Sequence, residues 1–95
     1  MEYIDVAWTH ELSSEPVRLV SELDGERYET RKLEFFANGD VGFASAYLKT
    51  ENTSLGIVPV PYLDEINADP EFDGVAITCE IFEALWLQYA CPARH

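Results

Sequence analysis

The dipeptide Asn38-Gly39 constrains this chain more than any other feature. It sits in ANGD, residues 37–40, between two strand-like segments, RYETRKLEFF (27–36) and VGFASAYL (41–48). Asn and Gly both tolerate positive φ, and such a pair between apolar strands is the strongest short-range hairpin signal. Two further strands precede it. In EYIDVAWT (2–9), Ile4, Val6 and Trp8 fall on one face and Tyr3, Asp5 and Ala7 on the other, the alternation of a half-buried strand. PVRLVSEL (16–23) follows a polar loop, HELSSE (10–15), and reads as a strand with Val17, Leu19 and Leu23 inward. Asp24-Gly25 marks the next turn. Gly42, Ala44, Ser45 and Ala46 are small and leave room for a large neighbour, expected to be an aromatic helix face.

That helix is expected at residues 79–90. Thr78 is the N-cap, and Ile77 and Phe82 have the spacing of a hydrophobic staple. Glu80 and Glu83 suit the positive end of the helix dipole. Phe82, Leu85, Trp86 and Tyr89 form an i, i+3, i+4, i+7 stripe, and Pro92 ends the helix. Between the sheet and the helix, KTENTSLG (49–56) reads as a loop. IVPVPYL (57–63) is kept extended by Pro59 and Pro61, and LDEIN (63–67) can hold one helical turn. The expected fold is α+β: an antiparallel sheet of about four strands (2–9, 16–23, 27–36 and 41–48) packed by a C-terminal helix, in one domain spanning residues 1–95.

Charge narrows the function. The 95 residues carry 18 acids against 6 Lys and Arg, a net charge of -12. Such a field repels nucleic-acid backbones and anionic membranes, and it speeds association with a basic protein. Solubility alone is the plainer explanation of acidity. The distribution argues for more. Residues 1–49 hold 10 acids and 5 bases, whereas residues 50–93 hold eight acids and no base. The second half therefore cannot neutralise itself locally, and a negative surface is expected there.

DPEFDGVAITCE (69–80) nearly fits the calcium-loop template, with Asp69, Glu71, Asp73 and Glu80 at ligand positions and Gly74 at the glycine position. Several features oppose a metal site. Glu71 is long for its position, Pro70 restricts the loop, no helix of normal length leads in, and Glu80 has its own reason to be acidic at a helix start. The stretch is read instead as a turn, Asp-Pro then Asp-Gly, delivering the chain into the helix. No metal and no cofactor is expected.

Catalytic constellations are weak. His10 is expected to be a solvated loop residue, and His95 is terminal. Cys79 and Cys91 stand 12 positions apart, about 18 Å along one helix, too far for a disulfide. Free thiols suit a reducing cytoplasm. Cys79 is expected to be semi-buried and inert. No phosphate loop, CxxC or HExxH motif is present, and no enzyme activity is expected. Arg18, Arg27, Arg31 and Lys32 are expected to pair across strands with nearby acids rather than form a nucleic-acid patch. Phe35 and Phe36, being adjacent in a strand, are sent to opposite faces. No signal peptide or transmembrane run is visible at MEYIDVAW.

Several segments together resemble a family of small bacterial proteins known only as a domain of unknown function: Trp8, Glu15-Pro16, SELD (21–24), Arg31-Lys32, Gly39, Leu55-Gly56, PVP (59–61), EIN (65–67), ADPEF (68–72) and FEALW (82–86). The resemblance spans nearly the whole chain and implies no catalytic residues. It does imply that ADPEF belongs to the turn. The functional expectation is a small acidic inhibitor, similar to bacterial immunity proteins, that occludes a basic toxin or nuclease through Asp64, Glu65, Asp69, Glu71, Asp73 and Glu83. The alternatives are a phage inhibitor that mimics nucleic acid, of the anti-CRISPR type, and a non-enzymatic subunit of a larger assembly.

Overall fold

The computed structural model describes residues 1–50 and 53–90. Glu51, Cys91, Pro92 and His95 lie outside the described residues, and with them the expectations for a Cys91 thiol, a Pro92 helix stop and a terminal histidine. The elements are β1 (Glu2–Trp8), β2 (Arg18–Leu23), β3 (Glu29–Phe35), β4 (Val41–Ser45), α1 (Leu63–Asn67), β5 (Phe72–Ala76) and α2 (Cys79–Tyr89). The strands form one antiparallel sheet in the order β4-β3-β2-β1-β5. The expected α+β architecture is the observed one, with a fifth strand added.

The two central hairpins use the same three-residue loop. Phe36 N–H donates to Asp40 C=O and Gly39 N–H to Phe36 C=O; Asp24 N–H donates to Tyr28 C=O and Arg27 N–H to Asp24 C=O. This is a type I turn closed by a residue in the left-handed region. Gly39 fills that position at φ 95°, while Asn38 uses its side chain, accepting from Asp40 N–H. In the other loop the left-handed residue is Arg27, at φ 68°, and not Gly25. A non-glycine residue there costs roughly 1–2 kcal/mol. Arg27 offsets that cost with its side chain, which donates to Val60 C=O, Pro61 C=O and Glu2 and lies over the Tyr62 ring at 4.5 Å. The third strand therefore starts at Glu29, two residues later than the expected 27.

A bulge in the β2–β3 register, between Glu22 and Leu23, sets the faces of β3. Without it, Glu29 would share a face with Arg31. With it, Glu29 pairs opposite Leu23 and joins Lys32 on the other face.

One face is covered by α2. Val20, Leu33, Phe43, Phe82 and Ala90 form the main core, with Tyr3, Phe35, Trp86 and Leu85 packed around it. Thr78 Oγ1 accepts from Ile81 N–H, and Phe82, the innermost helix residue, is fully buried. The helix does not lie over Gly42 and Ala44. It packs on the Phe43 side of β4, with the Trp86 ring 5.8 Å from Phe43. Gly42 instead makes room for Thr50 and Thr53: a Cβ there would stand 2.1 Å from Thr53 Oγ1 and 3.0 Å from Thr50 Oγ1. Phe35 meets Tyr89 on the helix side, while Phe36 lines the other face, as adjacent strand residues must.

The opposite face carries a second, smaller core of Ile4, Val6 and Leu23, packed by Val60, Leu63, Ile66 and Phe72. Both faces of β2 are thus covered, which is why Val20 is as buried as the expected Leu23. The expected Asp73-Gly74 turn is instead part of strand β5. Val6 pairs with Gly74, whose missing side chain admits Leu63: a Cβ would stand 2.9 Å from Leu63 Cδ2.

Both sheet edges are partly covered from within. Bonds from Ile77 N–H to Tyr3 C=O and from Thr9 N–H to Glu71 C=O leave the amide of Gly74 pointing outward from the sheet. The Asn67 side chain meets it from both sides, Nδ2 donating to Gly74 C=O (2.9 Å) and Oδ1 accepting from Gly74 N–H (2.6 Å). At the other edge, Phe43 N–H donates to Thr50 Oγ1, Thr50 N–H to Phe43 C=O, and Ser45 N–H to Leu48 C=O.

Candidate functional site

The candidate surface lies where β5 and α1 meet, beside the open face of the sheet. Asp64 and Glu65 stand in the first turn of α1, exposed. Asp69 caps the turn that follows, its Oδ1 accepting from Glu71 N–H at 2.9 Å. Glu71 accepts from the Trp8 indole at 3.2 Å, and Trp8 in turn stacks on Phe72. Asp73 lies in β5, exposed. Asp64, Glu65, Asp69 and Glu71 lie on α1 and the turn after it, whereas Asp73, opposite Ala7 and alternating with Phe72 and Gly74, projects from the other face of β5.

Glu83 does not join them. It pairs with Arg31 on the helix-covered face, so the sixth expected partner-binding residue is committed inside the molecule. Local neutralisation failed as a criterion because β3 brings its arginine to α2 from 52 residues away. Arg31 also holds Glu22 through two hydrogen bonds, and its guanidinium lies 4.9 Å from the Phe82 ring centre and 5.2 Å from that of Trp86. These contacts lower the Glu22 carboxyl to about 2, Arg31 first and Thr30 next, against the opposing effect of burial. The Arg31 guanidinium is pushed up, by Glu22 first and then Glu83.

The calcium-like set is not assembled. Phe72–Ala76 is an extended strand rather than a loop curled around an ion. Asp69 is engaged by Glu71 N–H and Glu71 by Trp8. Among the described residues no group of three His, Cys, Asp or Glu side chains is placed to hold a metal ion.

Two expectations about reactive groups are corrected. His10 is no solvated loop residue: its Nε2 donates to Pro16 C=O (2.7 Å) and its Nδ1 accepts from Leu12 N–H (2.9 Å), while its ring packs edge-on to Trp8. That pairing fixes its tautomer and folds the 9–17 loop. Cys79 is exposed rather than semi-buried, and free. The Tyr3 hydroxyl is pushed up chiefly by the Cys79 thiol beside it, with burial and Glu22 adding to the effect.

The open face holds features not anticipated from the sequence. Lys32 Nζ lies 3.3 Å from Glu29 and 3.4 Å from Glu34, all three side chains nearly buried. Glu29 also accepts from Gly56 N–H and Ser21, and Glu34 from Thr53. Two grooves flank this cluster and meet at Leu19. A wide one, about 910 Å³, runs past Trp8, Pro16, Glu34 and Phe36. A narrower one, about 390 Å³, is walled by Ile4, Val6, Ile66 and Phe72 and edged by Glu65 and Asp69. The mixed signs along RYETRKLEFF (27–36) were the one signal for the cluster; the bulge that brings Glu29 to it leaves no mark in a single sequence.

Fold and surface together define a single-sheet α+β protein with partly covered edges, one helix-covered face and an acidic corner. Residues 2–91 match the family described as Domain of unknown function (DUF6881), and the chain belongs to it. No curated protein and no solved structure matches the chain significantly. No helix among the described residues is long and apolar enough to cross a membrane.

Proposed function

We propose that this protein is a non-enzymatic, protein-binding inhibitor, similar in kind to immunity proteins, that occludes the basic cleft of a toxin or nuclease. The partition of charge supports this reading. Arg18 is spent on Asp5, Arg27 on Glu2, Arg31 on Glu22 and Glu83, and Lys32 on Glu29 and Glu34. Asp64, Glu65, Asp69, Glu71 and Asp73 have no basic partner among the described residues. Five exposed carboxylates on α1, β5 and the turn between them, on a chain of net charge -12, create a field that a basic partner relieves. The test is capture from the native host with wild type and an Asp69→Lys, Glu71→Lys, Asp73→Lys variant in parallel. A basic protein held by the wild type and lost by the variant is the expected result. Equal capture by both would remove the acidic corner from the function.

A further inference from the structure

The narrow groove on the open face joins an apolar wall to an excess of negative charge. Ile4, Val6, Leu19, Ile66 and Phe72 supply the wall. Glu65, in α1, and Asp69, in the turn after it, both stand at its edge. Asp69 has one carboxylate oxygen engaged by Glu71 N–H, and the Glu65 carboxylate accepts no hydrogen bond from the described residues. Glu29 lies at the base, where two carboxylates, Glu29 and Glu34, share the single ammonium of Lys32. That base keeps a net negative charge with its side chains 9%, 13% and 10% exposed. The Val60–Tyr62 segment beside the groove already receives one guanidinium from within the chain, that of Arg27.

We propose that this groove takes one long cationic side chain, arginine or lysine, from the protein partner. The alkyl stem lies along Leu19, Ile66 and Phe72, and the charged head reaches Glu65 and Asp69. Such side chains present an apolar stem and a charged tip, the two chemistries the groove joins. The inference rests on the acidic-corner reading and adds a register to it: Glu65 and Asp69 anchor the partner, while Asp73, in β5, only adds to the field.

The test is an NMR titration at low salt with the blocked peptide Ac-Gly-Leu-Arg-Leu-Gly-NH2, its lysine analogue and its uncharged citrulline analogue. The charged peptides should shift the amides of Leu19, Ile66 and Phe72. They should bind at least about tenfold more tightly than the citrulline peptide. Glu65→Gln should remove most of that preference and Asp73→Asn little of it. Absence of binding, equal binding of the citrulline peptide, or shifts mapping outside the groove would overturn the proposal. Equal losses from Glu65→Gln and Asp73→Asn would sink the groove and leave the acidic corner standing. The parent reading fails separately, in the capture experiment.

Discussion

At Arg31 one guanidinium meets two carboxylates and two aromatic rings, and so ties β3 to β2 and to α2 at a single point. Its consequence is a pH dependence. The folded pKa of Glu22 is depressed from an ordinary 4.5 to about 2, so its contribution is complete above pH 4.5 and fades as pH falls toward 2. The size is on the order of 3 kcal/mol. Because relief of repulsion among the 18 acids acts in the opposite direction as pH falls, the comparison is with Glu22→Gln, which keeps all the others. Urea unfolding should show the variant weaker at pH 7, with the gap closing between pH 4.5 and 2. A constant gap would mean that Glu22 stabilises by shape and not by charge. Charge pairing of this kind was legible in the sequence, since alternating signs in a strand imply cross-strand partners. The individual roles of His10 and Arg27 were not. Each depends on carbonyl groups brought near by loops, and loops carry no periodicity.

Among the elements, four strands and α2 follow from alternation, the Asn-Gly turn and the staple around Thr78. β5 was hidden for a physical reason. Its Asp-Gly pair is a turn signal in isolation, yet Gly74 sits in mid-strand so that Leu63 of α1 can approach. An edge strand with little apolar pattern is recruited by tertiary contact rather than by its own preference. Its stability then rests on Asn67, whose amide takes the place of a neighbouring strand. Asn67→Ala leaves the buried Gly74 N–H and C=O without partners and should cost about 1–3 kcal/mol, read from denaturant unfolding. It should also raise amide exchange locally, at Phe72–Ala76, and promote self-association, because an open edge invites pairing. Unchanged exchange in β5 would show that α1 holds the strand through packing alone. The position of α2 was misjudged for a related reason: small residues on β4 suggested a cover, and the cover is Thr50 and Thr53 rather than the helix.

For the whole molecule, the question is why so much charge remains uncompensated. Four of the five bases in residues 1–49 form ion pairs within the chain, and one of them, Arg31, reaches across to Glu83. Of the described acids without an ion pair, Asp64, Glu65, Asp69, Glu71 and Asp73 lie on α1, β5 and the turn between them, and Glu11, Glu15, Asp24, Glu26, Asp40 and Glu80 lie elsewhere. This asymmetry was visible in the sequence as residues 50–93 without Lys or Arg. The groove beside it was not, because it arises from a bulge, a proline-rich crossing and a five-residue helix meeting on one face of the sheet. The central claim is that the acids of α1, β5 and the turn between them drive association with a basic partner. The most direct measurement is the association rate constant for the captured partner as a function of ionic strength, for wild type and for the Asp69→Lys, Glu71→Lys, Asp73→Lys variant. The wild-type rate should fall steeply with salt. The variant should associate at least about tenfold more slowly at low salt and lose most of the salt dependence. Equal rates with equal salt slopes would contradict the account.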